Sequence, residues 1–191
     1  NNTIVGSVAG DGFDAESNNT LIGYTAGGHS NYAAAQAVAV GSFALAGAAE
    51  DDGTVAVGYQ ALEDLTTGAG NVAIGQQALS IVTDDNHSTA VGFQALQQQK
   101  DSSSGNIGAN TALGYQALRN LSTAHKNTAV GYRAGGNATM TGTGNTLMGY
   151  DAGLSLTSGL DNIAIGRNAM DAAISASYNV AIGVNALGTA D

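Results

Sequence analysis

The nine residues Asn110-Thr111-Ala112-Leu113-Gly114-Tyr115-Gln116-Ala117-Leu118 decide the fold, because they recur. Downstream stands Asn127-Thr128-Ala129-Val130-Gly131-Tyr132, and upstream Asn71-Val72-Ala73-Ile74-Gly75. Aligned on the central glycine, the motif appears at Gly6, Gly23, Gly41, Gly58, Gly75, Gly92, Gly114, Gly131, Gly149, Gly166 and Gly183. The spacing is 17 or 18 residues throughout, except for one step of 22 between Gly92 and Gly114. A fixed short period is the mark of stacked copies of one supersecondary unit.

Each slot of the motif has a physical reading. The residue three before the glycine is β-branched in every copy, and the one just before it is apolar, mostly Val or Ile. Residues two apart on a strand share a face, so these two columns are expected to line the inside of a coil. The residue between them, Ala in eight of eleven copies, is then expected to face outward. The glycine fits a corner, where backbone angles closed to other residues, or the close approach of a neighbour, exclude a side chain. Three residues later every copy has Ala, which implies a tight repeated site. Asn opens eight copies (Asn2, Asn19, Asn71, Asn110, Asn127, Asn145, Asn162, Asn179); it bonds backbone at turns and forms ladders when stacked. The rest of each period is variable and polar, as in Thr66-Thr67-Gly68-Ala69-Gly70, and reads as loop.

The fold class expected is therefore all-β: a parallel β-solenoid, or β-roll, of about eleven coils of roughly 17 residues. Residues 1–191 form one repeat domain, expected to be part of a longer fibre. At one strand spacing per coil the rod is about 50 Å long. A helical reading fails, since the motif lacks a period of about 3.6 and glycine is too frequent.

Composition narrows the function. There is no Cys, Pro or Trp, and only 10% of residues are charged. Without Cys there is neither a disulfide framework nor a Cys-based zinc site. No apolar run reaches the length of about 18 residues that marks a membrane span, so membrane insertion is not expected. The net charge is −10, and residues 1–99 hold ten acidic residues and no Lys or Arg. Such a surface repels phosphate backbones, which argues against a nucleic-acid partner.

A coil this small encloses little apolar surface. At about 25 cal/mol per Å² its burial struggles against about 1–2 kcal/mol of backbone entropy per residue. A second apolar surface must be buried, and a homo-oligomer supplies it. The outward Ala row, with Leu45, Leu62, Leu79, Leu96, Leu118 and Leu187, is the expected contact.

The motif resembles the head repeats of YadA-like trimeric autotransporter adhesins, in which a Val-Ala-Ile-Gly type sequence marks each coil. It is also similar to the Asn-Thr-Ala-Val-Gly-Tyr-x-Ala-Leu repeats of phage tail fibres and related bacterial surface proteins. The likeness runs over essentially the whole chain. It implies a left-handed β-roll, three chains wound into a homotrimer, and an extracellular place on a cell surface or virion. The implied role is structural: an adhesin or tail-fibre segment supporting attachment, with a cell-surface glycan or protein receptor as partner.

Catalytic chemistry is hard to find, and the chain is not expected to be an enzyme or to hold a cofactor. His29, His87 and His125 have no second ligand at metal spacing. The acidic pairs Asp51-Asp52, Glu63-Asp64 and Asp84-Asp85 sit at different offsets in their repeats and form no catalytic constellation. Asp51, Asp52, Asp84, Asp85 and Asn86 are weak calcium candidates, since calcium takes about six to eight oxygens. The long step adds residues around Gln97, Gln98, Gln99, Lys100, Asp101 and Ser102, and insertions in repeat rods often carry recognition; these are the candidate receptor contacts. Tyr24, Tyr59, Tyr115, Tyr132 and Tyr150 share one slot and form an interrupted aromatic stripe, suited to a subunit contact or a glycan groove. Three alternatives are a self-stacking extracellular filament, a polysaccharide-binding or polysaccharide-cleaving spike, and an ice-binding solenoid. The last needs a flat Thr array, and here Thr alternates with Val.

Overall fold

A computed structural model describes residues 1–12, 17–28, 35–47, 53–99, 108–136 and 138–188. Eleven three-residue strands run from β1 (Thr3–Val5) through β2 (Thr20–Ile22), β3 (Val38–Val40), β4 (Val55–Val57), β5 (Val72–Ile74), β6 (Thr89–Val91), β7 (Thr111–Leu113), β8 (Thr128–Val130), β9 (Thr146–Met148) and β10 (Ile163–Ile165) to β11 (Val180–Ile182). They form one parallel sheet in chain order. Each strand is the first half of one motif, and equal slots pair: Thr111 with Thr128, Ala112 with Ala129, Leu113 with Val130. The chain is an all-β parallel solenoid with one strand per coil. Outside the strands, two isolated bridges, Gln98 to Asn120 and Leu121 to Met140, join the loop sides of neighbouring coils.

The glycine column sets the stacking. Its members have φ between +129° and +140°, where a side chain is strained. Space excludes one as well: a Cβ on Gly58 would lie 2.5 Å from the carbonyl oxygen of Gly75, and one on Gly149 would meet Gly166 in the same way. The strand ends here, and the chain turns through further left-handed residues two and four places on, such as Gln77 and Leu79.

The two faces of the strand are the reverse of the sequence expectation. The middle residue of the strand is the buried one: Ala39, Ala56, Ala73, Ala90, Ala112, Ala129 and Ala164 are wholly enclosed. The β-branched and apolar residues beside it, such as Val38 and Val40 or Thr111 and Leu113, are half-buried or exposed. Leu45, Leu62, Leu79, Leu96 and Leu118 are also core residues, and of the leucines expected outside only Leu187 is exposed. The cause is lumen width. The strand's inner Ala and the Ala three places after the glycine belong to the same buried cluster, and the coil closes too tightly for two β-branched columns between them.

Beside the strand most coils place one large side chain, in either of two slots, while Leu65, Leu121 and Leu156 are buried further along their coils. Where the strand centre is Ala, the residue four after the glycine is usually large: Ala56 with Leu62, Ala90 with Leu96, Ala164 with Met170. Where the strand centre is Leu, that residue is glycine: Leu21 with Gly27, Leu147 with Gly153. A Cβ on Gly153 would collide with the Leu147 side chain at 2.7 Å. The coil of Ala129 has Gly135 instead, and there Leu118 and Leu147 of the neighbouring coils and Met140 of the same coil fill the space.

The asparagine ladder forms as expected. Asn127, Asn145 and Asn162 donate their backbone N–H to the side-chain oxygen of the preceding Asn at 2.9, 2.9 and 3.0 Å. Their amide nitrogens donate to loop carbonyls of Gly142, Gly159 and Ala176. Buried backbone in the sharpest part of the coil is thereby satisfied from side chains, as a low-dielectric interior requires.

Two glycine substitutions separate the column from ordinary turn glycines. Gly53 has φ +72° with nothing within 4 Å of a Cβ, so Gly53→Ala should cost about 1 kcal/mol for its left-handed backbone alone. Gly58→Ala meets both strain and the backbone of the next coil and should cost more than about 3 kcal/mol. Urea unfolding of both variants checks the ranking.

Candidate functional surface

Because the coils are in register, every outward slot becomes a column along the rod. Three columns share the outer sheet face: the residues three before, one before and one after the glycine. The middle column is aliphatic, with Ile22, Ile74, Leu113 and Met148 all exposed. The first alternates Thr with Val and Ile. The third carries the aromatics, which the sequence places correctly in one stripe. Phe93, Tyr115, Tyr132 and Tyr150 stack in parallel, with successive centroids 5.2, 5.0 and 5.0 Å apart. Tyr24 and Tyr59 instead meet Phe43 edge to face, and Gln76 separates the two groups. In the parallel stack the interior rings spend both faces on each other. Their edges and hydroxyls are what they offer outward, so this part of the stripe is no platform for a stacked sugar ring.

A polar column lies one residue further on. Gln77 donates its amide to Gln60 at 3.0 Å, Gln94 to Gln77 at 2.9 Å and Gln116 to Gln94 at 2.8 Å. The signal was present in the sequence as four glutamines in one slot. Beside this column Gln97 is buried and donates weakly to Gln77, while its side-chain oxygen accepts from Arg119 Nε at 3.0 Å.

The inserted segment is anchored inward. Of the described candidate receptor contacts, Gln97 and Gln99 are buried and Gln98 is exposed. Gln99 donates to Asp85 at 2.7 Å, and its oxygen accepts from Asn110 at 3.2 Å. These two glutamines hold the loop to the rod and are not free to meet a receptor. Lys100, Asp101 and Ser102 lie outside the described residues.

The calcium candidates are distributed the same way. Asp51 and Asp52, like His29, lie outside the described residues. Asp85 is fully buried against Gln99, and the Asn86 side chain accepts from the Ala69 backbone at 2.7 Å. Asp84 stays at the surface beside Thr83. Among the described residues no group of three or more His, Cys, Asp or Glu is placed to hold a metal ion. His87 packs against Gly70, where a Cβ would lie 3.2 Å from its ring.

One charged site was missed by sequence reasoning. Asp151 occupies the glutamine slot, above Arg133, whose Nε is 3.5 Å from its carboxylate. Burial pushes the Asp151 carboxyl above its ordinary value; Arg133 opposes this, and Asp171 reinforces it. The slot alone could have flagged it, since Arg133 and Asp151 follow one another in a column.

No protein-family model matches the chain, and no curated protein or solved structure matches it either.

The direction at Asp151 fixes a pH dependence. A carboxyl raised in the folded state binds its proton more readily there than in the unfolded chain. Its contribution to stability therefore grows as pH falls through the folded value and is lost as pH rises above it. Asp151→Asn should melt higher than the parent chain near neutral pH, with the gap closing as the medium is acidified. Thermal melts across the acidic range read this directly, and a gap that widens on acidification would contradict it.

Proposed function

We propose that the chain is a structural fibre segment of a surface or virion attachment apparatus, working extracellularly as a homotrimer that supports binding to a host or surface. The observation that carries this reading is the outer sheet face. Three columns, two of them rich in aliphatic and aromatic side chains, run the length of the sheet, with Leu113 48%, Met148 43% and Tyr150 51% exposed. Eleven strands at the parallel spacing give a face about 50 Å long, and four residues of strand give a width of about 13 Å, or roughly 650 Å². Single soluble chains seldom expose contiguous apolar area beyond a few hundred Å². The figure is close to the ~800 Å² per partner of an ordinary stable interface.

The face is also the right shape for a partner with the same repeat. Its side chains recur at the strand spacing, so a second copy laid along it meets the same spacing at every coil, and cyclic closure hides the face of every chain. The contact surface is thus the valine–isoleucine column with the neighbouring tyrosines, while the Ala row and the leucines first assigned to it are inside the coil.

Native mass tests the reading. Light scattering should give three copies of the 18.8 kDa chain. The double substitution Ile74→Lys with Leu113→Lys, both on the outer face, should yield single chains that keep the parent's β circular dichroism. A parent chain that stays single at micromolar concentration would sink the proposal.

A further inference from the structure

Coils 2 to 4, counted by their strands β2 to β4, contain a groove that the repeat pattern leaves open. Its volume is about 460 Å³, and Thr25, Phe43, Ala46, Glu63, Asp64 and Thr66 line it, with Gly47 at its base. It sits on the lateral track beside the sheet face. In later coils that track is occupied by Gln77, Gln94 and Gln97 and by the chain's own Arg119, whose guanidinium Nε donates to Gln97. Here the same slots carry Thr25 and Phe43 in place of glutamine and Ala46 in place of a long polar side chain. Small side chains open the space, an aromatic ring forms one wall, and two adjacent carboxylates form another.

Charge selects the occupant. No Lys or Arg occurs in residues 1–99, against ten acidic residues. Among the described residues the one ion pair is Arg133 with Asp151, so Glu63 and Asp64 have no ion-pair partner among the described residues. A neutral sugar ring over Phe43 would donate hydroxyls to these carboxylates but leave two negative charges unmatched, where a cation would match them. For a calcium ion, Glu63 and Asp64 stand without a third acidic or histidine partner, since no group of three or more such residues is placed to hold a metal among the described residues. A guanidinium or ammonium on an alkyl stem fits each wall: the stem against Phe43 and Ala46, the charge against the ring face and the carboxylates. The seat of Arg119 on the same track shows that the track accommodates a guanidinium.

We propose that this groove binds an arginine or lysine side chain from a basic segment of a partner protein. The proposal gives the attachment reading a partner chemistry and rests on that reading for its biological role. The binding itself needs one chain only, so native mass and peptide binding fail separately.

The test uses fluorescein-labelled tetra-arginine, followed by fluorescence anisotropy at physiological ionic strength with the intact chain. Binding is expected, with tetra-glutamate inert. Glu63→Gln with Asp64→Asn should weaken it about tenfold, given two ion pairs lost together. Phe43→Gln, which continues the glutamine column into the groove, should weaken it as well while keeping the melting temperature near the parent's. Asp11→Asn with Asp84→Asn removes the same net charge elsewhere and should leave affinity unchanged. Equal weakening by that control would reduce the effect to general electrostatics and overturn the site. So would an unbound parent chain, or full binding by the groove variants.

Discussion

Everything in this rod follows from how closely the glycine column lets neighbouring coils approach. A carbonyl oxygen of one coil occupies the place a side chain would take on the glycine of the coil before it. That contact is only open to glycine, and it recurs at ten successive interfaces with φ held in one narrow range. It fixes both the spacing and the register. Once slots of equal number sit one strand spacing apart, identical side chains must stack, and the chemistry of each column is decided by which residues tolerate their own kind as neighbours. Amides do so by donating along the column, as in the Asn and Gln ladders. Aromatic rings do so by parallel stacking. Charged residues do not, and the chain accordingly carries only 10% of them.

The repeat, the strand positions, the glycine corner and the asparagine ladder were legible in the sequence, because each is a one-dimensional property: spacing, or a residue with few physical uses. The facing of the strand was not. Period-two alternation says which residues share a face but not which face is inside. The usual rule that β-branched residues go inward assumes a core wide enough to hold them. Here the opposite wall of the coil is near, and the strand centre takes Ala, or Leu where the facing slot is glycine. The information that would have corrected this was present as the exchange between the strand centre and the slot four after the glycine. Leu21 with Gly27 and Leu147 with Gly153, against Ala56 with Leu62, conserve one large residue between the two slots. Two slots that trade volume must share a space, so the strand centre had to point inward. Two residues at the start of the inserted segment were unreadable for a related reason. Polar residues in a lengthened loop look like surface, whereas Gln97 and Gln99 are consumed in satisfying neighbours, Asp85 among them.

The inversion turns the stability problem around. A core of Ala with one or two leucines or methionines in most coils buries modest apolar area, and a second set of large side chains stands on the outer face, where it gains little in an isolated chain. Much of the hydrophobic surface that this sequence carries is therefore available to association before it is available to folding.

The rod thus has two kinds of surface. Two of the three columns of the sheet face, those of the strand itself, keep one kind of side chain from coil to coil. The lateral track does not: it runs from Thr25 and Phe43 through four glutamines to Arg133, Asp151, Asn168 and Asn185. Variation there is tolerated by the stacking because the left-handed backbone at that slot, from Val8 to Asn185, is the same in every coil whatever the side chain. A position that is structurally fixed yet chemically free is where a repeat protein can acquire local recognition without disturbing its neighbours. The groove beside Phe43 and the buried carboxylate at Asp151 both arise on this track, and both arise where its glutamine pattern is interrupted.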